Sequence, residues 1–399
     1  MKVVVVGAGI VGLAAARELA ARGADVVVCE KGTVGSGSTE RSAGGIRTQF
    51  STPVNVRLSL ESIETWERFE EEFGVDIGYR RAGYLFLARS PDTAAAFEAN
   101  VAMQRDLGAD SELLSPAEAT AHCPGLNPEG FVAATYCPSD GFADPHLALQ
   151  GYVEACRDAG VDVRTHTSVE AIRREGSESD GSGREENERD GSGRVVGVET
   201  PDGRVDADAV VNAAGPWASR VNALAGVDLP VEPRRRQVAV VDPETPVPAD
   251  VPLTIDLDTG VYFRPEREGA AIVGGHFATE DPPADPDRYS TTADTDWTVT
   301  AVEHAADCAT YFGPETRIKR GWAGLYAVTP DHHPVVDEPI PGFVTAIGFS
   351  GHGFQHAPAT GRLVANLVFD GRPALEGTDA LAADRFDDDN DTDTERNVA

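Results

Sequence analysis

The chain has 399 residues and a mass of 42.2 kDa, enough for a large core and two interwoven domains. Its 34 basic and 66 acidic residues give a formal net charge of −32, which repels nucleic acids and anionic membranes and argues against either as a partner. In molar salt the Debye length falls to about 3 Å, so this self-repulsion suits a salt-rich, halophile-like cytoplasm.

Cysteine usage and hydropathy indicate the compartment. The five cysteines are scattered without CxxC spacing, and no His, Cys or acidic cluster has the spacing of metal ligands. This favours a reducing environment and argues against disulfides and a metal site. No apolar run is long enough for a membrane span, and the first predicted strand begins at Lys2, which leaves no room for a signal peptide. We expect a cytoplasmic protein.

The chain opens with a predicted strand, turn, helix and second strand. The β-branched run at residues 3–6 is typical of a parallel strand buried on both faces. Residues 10–21 have helical periodicity, Gly23 ends that helix, and residues 25–30 form the next strand.

A glycine motif lies between the first strand and the helix. Gly7, Gly9 and Gly12 form G-x-G-x-x-G, which allows a tight turn and a close approach to a pyrophosphate at the start of a helix. Glu30, at the end of the second strand, is placed to bind a ribose diol. The motif predicts dinucleotide binding and does not by itself separate FAD from NAD.

The stretch GSGSTERSAGGIRTQF follows at residues 35–50. The hydroxyls of Ser36, Ser38 and Thr39 could hold phosphates, and the backbone of Gly44 and Gly45 could reach a planar ring. An ordinary surface loop is the alternative interpretation. A loop of this composition directly after the ribose-binding strand favours the longer FAD over NAD.

The middle of the chain alternates helices and strands. Residues 55–73 and 146–159 are predicted to be amphipathic helices. The acidic, low-complexity stretch 176–194 is predicted to be a disordered loop between strand candidates at 168–173 and 195–200.

The second half begins with another strand, turn and helix at residues 206–226. Strand candidates between residues 231 and 275 then predict a mostly antiparallel sheet. Residues 387–399 are predicted to be a disordered, solvated tail.

Five motifs together resemble those of the D-amino-acid oxidase superfamily of FAD enzymes. They are the glycine motif, STERSAGGIRTQF, NAAGPWA at 212–218, GLYAVTPDHHPVV at 324–336 and GFSGHGF at 348–354. The resemblance spans nearly the whole chain in the family's order, and it is strongest to the branch of sarcosine oxidase, glycine oxidase and the dye-linked L-proline dehydrogenase β-subunit.

The resemblance implies an α/β fold with two domains. The first would be a Rossmann-like, glutathione-reductase-type FAD-binding domain made from residues 1–80, 145–217 and 318–380. The second would be an α+β substrate domain on a mostly antiparallel sheet, made from residues 81–144 and 218–317.

The resemblance also implies how FAD is bound. The loop at 348–354 would cover the flavin, with glycines where side chains would strike the ring, and the helix at 357–369 would direct its dipole at the ring. Gly324 stands where some relatives carry a cysteine bonded to the flavin, so we expect non-covalent FAD. The expected FAD contacts are Gly7, Gly9, Gly12, Glu30, Lys31, Ser38, Thr39, Gly44, Gly45, Ile46, Val169, Ala214, Gly215, Trp217, Gly324, Gly348, Gly351, His352, Gly353 and Phe354.

On the substrate side, Arg47 matches an arginine that binds the substrate carboxylate in sarcosine oxidases. Gln355 stands where those enzymes carry a second cationic residue, so the hold on the carboxylate is weaker or reshaped. The residues that match the pocket wall, including one beside the ring, are Tyr262, His276, Tyr326 and His352.

The implied reaction is oxidation of the C–N bond of a small amino acid of the sarcosine, glycine, proline or D-amino-acid type. Hydride would pass to flavin N5, and water would hydrolyse the imine. The electron acceptor would be oxygen or another carrier, and Ile272, in place of a lysine that assists oxygen reduction, favours a dehydrogenase. Alternatives are an FAD-linked 2-hydroxy-acid or glycerol-phosphate dehydrogenase, or an electron-transfer or assembly subunit of a larger enzyme with a partner subunit.

Overall fold

The computed structural model of the chain describes residues 1–176, 193–278, 280–387 and 393–398. Within these ranges the helices are α1 (Ile10–Ala21), α2 (Pro53–Glu67), α3 (Phe69–Phe73), α4 (Pro91–Asp106), α5 (Pro116–Ala119), α6 (Pro145–Asp158), α7 (Ala218–Leu224), α8 (Thr295–Cys308) and α9 (Gly353–Asp370). The strands are β1 (Lys2–Val6), β2 (Asp25–Cys29), β3 (Gly45–Ile46), β4 (Tyr84–Ala88), β5 (Glu112–Leu114), β6 (Ala133–Cys137), β7 (Gly141–Phe142), β8 (Asp162–Arg164), β9 (Ala171–Arg174), β10 (Val195–Thr200), β11 (Gly203–Asp206), β12 (Ala209–Asn212), β13 (Glu232–Asp242), β14 (Leu253–Asp256), β15 (Val261–Pro265), β16 (Ala271–Gly275), β17 (Arg317–Val328), β18 (Val335–Ile340) and β19 (Phe343–Ile347).

The first sheet is six-stranded, in the order β18-β19-β12-β1-β2-β8. Its pairs are parallel except for β18 with β19. The valines of β1 are buried because helices cover one face and the hairpin strands β9 to β11 cover the other. This sheet draws its strands from both ends of the chain.

Helices α1 and α9 pack against each other on one face of this sheet. At their crossing a Cβ on Gly361 would lie 2.7 Å from the carbonyl oxygen of Ala14, so the glycine allows the two backbones to approach closely. Helix α9 therefore rests on the helix that begins at the first glycine turn.

The second sheet is eight-stranded, in the order β17-β13-β16-β15-β14-β4-β6-β5, and is antiparallel except for β14 with β4. Helices α5 and α8 cover one face of it. Its other face carries Tyr84, Tyr262 and Ile272 and lies toward the first sheet. The chain is thus a mixed α/β protein, as predicted.

The boundary between the two domains differs from the one that the sequence analysis predicted. Strand β17 pairs along its length with β13 in the eight-stranded sheet, although residues 318–380 are predicted to belong to the FAD-binding domain. We therefore move residues 318–328 to the second domain and keep the two-domain division as a proposal. The predicted helix at 55–73 is split at Arg68 into α2 and α3; nothing in the structure explains the break.

The predicted loop at 176–194 lies mostly outside the described residues, which resume at Gly193. The strands that flank it, β9 and β10, pair antiparallel, as expected of a hairpin.

The predicted disordered tail at 387–399 is wrong for residues 393–398, which pack against the protein. Glu395 is 0% exposed and Asn397 is 4% exposed. The prediction failed because it counted charges and missed the polar partners that bury this stretch. Residues 388–392 and 399 lie outside the described part. No described helix is both long enough and apolar enough to span a bilayer.

Candidate active site

A cavity of about 550 Å³ is lined by residues of both sheets. The first glycine turn lines one end of it, and Arg47, Tyr84 and Tyr262 line the other. The loop at 348–355 lines it as well, which brings the two ends of the chain to one site. Its volume lies within the roughly 300–1,000 Å³ of ligand pockets.

The glycine turn has the geometry that its motif predicts. Gly7 has a φ of +106°, and a Cβ there would lie 2.6 Å from the carbonyl oxygen of Ala213. Gly12 lies against the carbonyl of Gly7, where no side chain fits. Gly9 precedes α1 and lines the cavity, so the N-terminus of this helix is open to a ligand there. One of its N–H groups, that of Ile10, already donates to Thr39 Oγ1 at 3.1 Å.

Glu30 lines the cavity at the end of β2, as predicted. Its two carboxylate oxygens accept hydrogen bonds from the backbone N–H groups of Ala8, at 2.9 Å, and Gly32, at 2.7 Å. These contacts fix the carboxylate, and each oxygen retains a lone pair for a hydroxyl group.

Lys31 and three neighbours form a cluster at the same end of the cavity as Glu30; the neighbours are Trp217, Arg220 and Asp287. The sequence analysis predicted only Lys31 and Trp217 of this cluster. The Lys31 ammonium lies 3.7 Å from the ring centre of Trp217, and both residues donate to Asp287 at 2.8 Å. Hydrogen bonds from Lys31 and Arg220 hold the pKa of Asp287 well below its ordinary value. Asp287 lies in an acidic loop without a motif, so no sequence signal pointed to it.

Three of the expected FAD contacts do not line the cavity. Gly12 lies against the carbonyl of Gly7, Gly44 has a φ of +75° and lies against the carbonyl of Ala143, and Ile46 is 1% exposed in the core. Those that line it are Gly7, Gly9, Glu30, Lys31, Ser38, Thr39, Gly45, Val169, Ala214, Gly215, Trp217, Gly324, Gly348, Gly351, His352, Gly353 and Phe354.

The glycines of the covering loop are also required by the protein itself, a reason that the sequence analysis did not predict. Gly348 and Gly351 have φ values of +73° and +96°, a region that favours glycine. A Cβ on Gly348 would strike Thr329, and one on Gly351 would strike the ring of Tyr326. Protein neighbours, in addition to any ring in the cavity, therefore require these glycines.

Arg47 is buried at the other end, with 5% of its surface exposed. Its Nη1 donates to the carbonyl of Gln49 at 2.8 Å, and its Nη2 contacts the carbonyl of Asn397 and, at 3.0 Å, His352 Nε2. The guanidinium lies 4.2 Å from the ring centre of Phe50. No carboxylate in the described ranges forms an ion pair with it.

The charge of Arg47 is costly to bury. Burial lowers the pKa of its guanidinium, and Tyr84, Glu395 and Asp140 oppose that shift. An arginine stays protonated in proteins, so Arg47 presents a buried positive charge beside the cavity.

The tyrosine and histidine side chains around Arg47 are neutral. Burial raises the pKa of the phenols of Tyr84, Tyr262 and Tyr326. Burial, together with the charge of Arg47, lowers the pKa of His352 well below its ordinary value. Because Nε2 of His352 faces a guanidinium donor, that nitrogen accepts and the proton is on Nδ1. Tyr84 was missed by the sequence analysis because it lies in an apolar strand without a motif.

His276 does not line the cavity. It lies one residue beyond the end of β16, with Nε2 3.9 Å from Asp281. Asp281 in turn accepts two hydrogen bonds of 2.8 Å from Arg236, which does line the cavity. Burial and the charge of Arg236 lower the pKa of His276. It therefore stands behind the cavity wall rather than in it.

Gln355 makes a contact that was not predicted, and Ile272 lies away from its expected place. Gln355 lines the cavity, but its Oε1 accepts a hydrogen bond from the backbone N–H of Arg47 at 2.8 Å, so it positions Arg47. Ile272 is 4% exposed in an apolar cluster and does not line the cavity. No described group of three or more His, Cys, Asp or Glu side chains is arranged to hold a metal ion.

The residues present fit FAD. A glycine turn, a helix N-terminus and a fixed carboxylate line one end of a cavity whose other end is aromatic and carries one buried cation. Glu30 would hold the ribose, the turn around Gly9 the pyrophosphate, and the loop at 348–355 the isoalloxazine ring.

Three comparisons with known proteins agree with this fit. Residues 2–367 match the DAO family, described as FAD dependent oxidoreductase. The chain is 35% identical to FAD-dependent oxidoreductase domain-containing protein 1 of Xenopus laevis, over 92% of this chain and 79% of that protein. It is 31% identical to glycine oxidase of Geobacillus kaustophilus (strain HTA426), over 92% of each.

Among solved structures, L-proline dehydrogenase from P. horikoshii superimposes with a TM-score of 0.84 at 32% identity, over 97% of each chain. Glycine oxidase from G. kaustophilus superimposes with a TM-score of 0.80. Together with the glycine turn and the long cavity, these likenesses show that the chain belongs to the DAO family of FAD-dependent oxidoreductases.

Proposed function

We propose that the protein oxidises the C–N bond of a small amino acid, of the sarcosine, glycine, proline or D-amino-acid type, in its FAD-bound form. The observation that carries this proposal is the buried, unpaired charge of Arg47 at the end of the cavity opposite the nucleotide turn. A guanidinium in such a place is suited to a carboxylate. The names of the relatives, a glycine oxidase and an L-proline dehydrogenase, support a small amino acid.

Bound FAD would supply a two-electron acceptor for a hydride from the substrate. Arg47 would bind the substrate carboxylate and so orient the carbon next to the nitrogen. The phenols of Tyr262 and Tyr326 stay neutral, so they can hydrogen-bond the amine without adding charge. The covering loop and the tyrosines would exclude water from the end of the cavity where the substrate lies.

A phosphate-bearing substrate fits the cavity less well. Of the basic run Arg234 to Arg236, only Arg236 lines the cavity, and it is paired with Asp281 at 2.8 Å. Arg235 is paired with Asp294, and Arg234 with Glu232. These pairs favour a carboxylate bound by one cation over a phosphate bound by several.

We also propose non-covalent FAD and an electron acceptor other than oxygen. Gly324 lines the cavity where a cysteine would be needed, and Cys29, the cysteine among the lining residues, lies at the nucleotide end. Burial raises the pKa of Cys29, which makes it a poor nucleophile. The lysine among the lining residues, Lys31, is paired with Asp287 at that same end, so no lysine lies where it could assist oxygen reduction.

The test is anaerobic bleaching of the flavin at high salt by sarcosine, glycine, L-proline and D-alanine, with a dye or with oxygen as acceptor. We expect at least one amino acid to bleach wild type, and Arg47→Met to raise its KM by roughly 100-fold while FAD stays bound. Arg41→Met is the matched control, because Arg41 lines the same cavity but is paired with Glu40.

A flavin that no amino acid bleaches would indicate an electron-transfer or assembly subunit. Equal bleaching of the Arg47→Met variant and wild type would refute the role of Arg47. Turnover as fast with oxygen as with dye would refute the proposed acceptor, and yellow colour retained on acid-precipitated protein would refute non-covalent binding.

A further inference from the structure

The segment at residues 393–398 is anchored by a buried acid. The carboxylate of Glu395 is 0% exposed and accepts from the N–H and the hydroxyl of Ser51, both at 2.8 Å, and from the hydroxyl of Thr52 at 2.7 Å. Asn55 Nδ2 donates to it at 3.2 Å. These donors belong to the chain that runs from Arg47 into α2.

The backbone of the segment is held from a second side, by the turn at Asp331 to His333. Nε2 of His333 contacts the carbonyl of Asp393 at 2.7 Å, and the N–H of Glu395 donates to the carbonyl of Asp331 at 3.0 Å. Nδ1 of His332 contacts the carbonyl of Glu395 at 3.0 Å. The segment is therefore docked in one defined register.

In this docked position Asn397 contacts Arg47. The carbonyl of Asn397 accepts from Nη2 of Arg47, and its side-chain amide donates to the carbonyl of Gln49 at 3.2 Å. The same carbonyl of Gln49 accepts from Nη1 of Arg47. Arg47 lines the cavity but neither Asn397 nor Gln49 does, so Nη1 and Nη2 each spend a hydrogen bond on a carbonyl outside it.

The shape of a guanidinium limits how Arg47 can bind a carboxylate. It can bind a carboxylate with two parallel hydrogen bonds through Nη1 and Nη2 or through Nε and Nη2, and both ways need a proton on Nη2. Nη2 has two protons, and in the structure it has two partners, Asn397 and His352. With both contacts in place Nη2 has no proton left for a substrate, and Asn397 holds one of the two that a bidentate pair could use.

We propose that Asn397 and the 393–398 segment form a further positioning element, which sets whether Arg47 can bind a carboxylate with two hydrogen bonds. This inference rests on the proposed role of Arg47. Release of the segment returns a proton of Nη2 to the substrate side, and a bound carboxylate favours release in turn.

The contacts of the segment suit reversible release. Its residues are Asp393, Thr394, Glu395, Arg396, Asn397 and Val398. The buried ones are the polar Glu395 and Asn397, and its single apolar residue, Val398, is only half-buried. Undocking thus exposes little apolar surface and lets water replace the hydrogen bonds that it breaks.

The first experiment measures carboxylate binding to the FAD-loaded enzyme by the change in flavin absorbance. Benzoate is the probe, and uncharged benzamide is its control. Glu395→Ala removes the anchor, and Thr394→Ala, at an exposed neighbour, is the matched control variant. We expect Glu395→Ala to bind benzoate roughly 10-fold more tightly, the effect of one charge-assisted hydrogen bond gained, and Thr394→Ala to bind it as wild type does.

The second experiment uses Arg396, an exposed trypsin site between two buried residues. Mass spectrometry follows the loss of the residues after Arg396. We expect slow cleavage of wild type, faster cleavage of Glu395→Ala, and acceleration of wild-type cleavage by benzoate but not by benzamide.

Two outcomes would overturn the inference, and they are distinguishable. If benzoate binds equally to wild type and Glu395→Ala and leaves cleavage unchanged, the segment does not control Arg47, and the proposed function stands. If benzoate binds to neither while wild type still resists cleavage more than Glu395→Ala does, the segment docks but Arg47 is not a carboxylate site, and the proposed function fails with it.

Discussion

At the scale of residues, Asp140 is a fully buried acid that holds the chain next to Arg47. It is 0% exposed and accepts hydrogen bonds from the N–H and hydroxyl of Thr48 at 2.7 and 2.8 Å and from Gln49 Nε2 at 3.3 Å. It thereby fixes the two residues that follow Arg47. Burial raises the pKa of Asp140 to about 6, against the opposing hydrogen bonds from Thr48.

This shift predicts a pH dependence of stability. Since the pKa of Asp140 is higher in the folded protein than the usual value near 4 in an unfolded chain, its contribution is present below about pH 4 and is lost as the pH rises through about 6. The full loss is on the order of 3 kcal/mol. We expect the unfolding free energy of Asp140→Asn, relative to wild type, to rise by about that amount between pH 4 and 7 in urea titrations.

The control for that measurement is Asp76→Asn, which changes an exposed carboxylate. A difference between Asp140→Asn and wild type that is the same at every pH would show that Asp140 does not titrate in this range.

The protonation state of His352 leads to a prediction about how kcat/KM depends on pH. Because burial and Arg47 hold its pKa well below the ordinary value, His352 is neutral across the working range and accepts from Arg47. The rising limb of kcat/KM with pH should therefore follow the amine of the substrate. We expect the limb to shift between two substrates whose amines differ in pKa, and to keep its position in His352→Asn. A limb that is unchanged between the substrates and lost in the variant would contradict this.

At the scale of elements, the crossing of α1 and α9 couples the nucleotide turn to the covering loop. Both helices begin at the cavity, and they meet where Gly361 lies against the carbonyl of Ala14. A side chain there separates the helices and displaces both ends of the site together.

We therefore expect Gly361→Ala to lower the free energy of unfolding by about 1–3 kcal/mol despite the better helix propensity of alanine. It should also weaken FAD binding, measured by flavin fluorescence on dilution. Asn366→Ala, a half-exposed position on the same helix that loses one hydrogen bond to Arg22, is the control. If Gly361→Ala leaves the free energy of unfolding and the FAD affinity unchanged, the two helices can move apart at their crossing without loss of stability, and the prediction is wrong.

At the scale of the whole molecule, the net charge of −32 predicts a stability that depends on salt. The Debye length is about 10 Å at 0.1 M and about 3 Å at 1 M, so repulsion between surface acids fades over that range. We expect the midpoint of thermal unfolding to rise between 0.1 and 2 M KCl, while sucrose of equal osmolality serves as the control for water activity. A midpoint that does not change, or that falls, would remove the argument for a salt-rich cell.

The sequence predicted the parts whose chemistry is local. The glycine turn and α1 follow from spacing and motif, Arg47 follows from the family resemblance, and all three lie at the cavity. His276, Ile46 and β17 were misplaced because only the pairing of distant strands decides which face or sheet a residue joins. Asn397 could not be found at all, because its role depends on partners more than 300 residues away along the chain.

The arrangement of the six-stranded sheet has a consequence for biosynthesis. Its central strand β1 leaves the ribosome well before β19 and α9, which complete the sheet and line the cavity and are made some 340 residues later. A nascent chain therefore holds only the end of the cavity around the first glycine turn until β19 and α9 have been made. Cofactor loading should consequently follow the synthesis of α9, and chains that still lack this helix should have to be protected from aggregation.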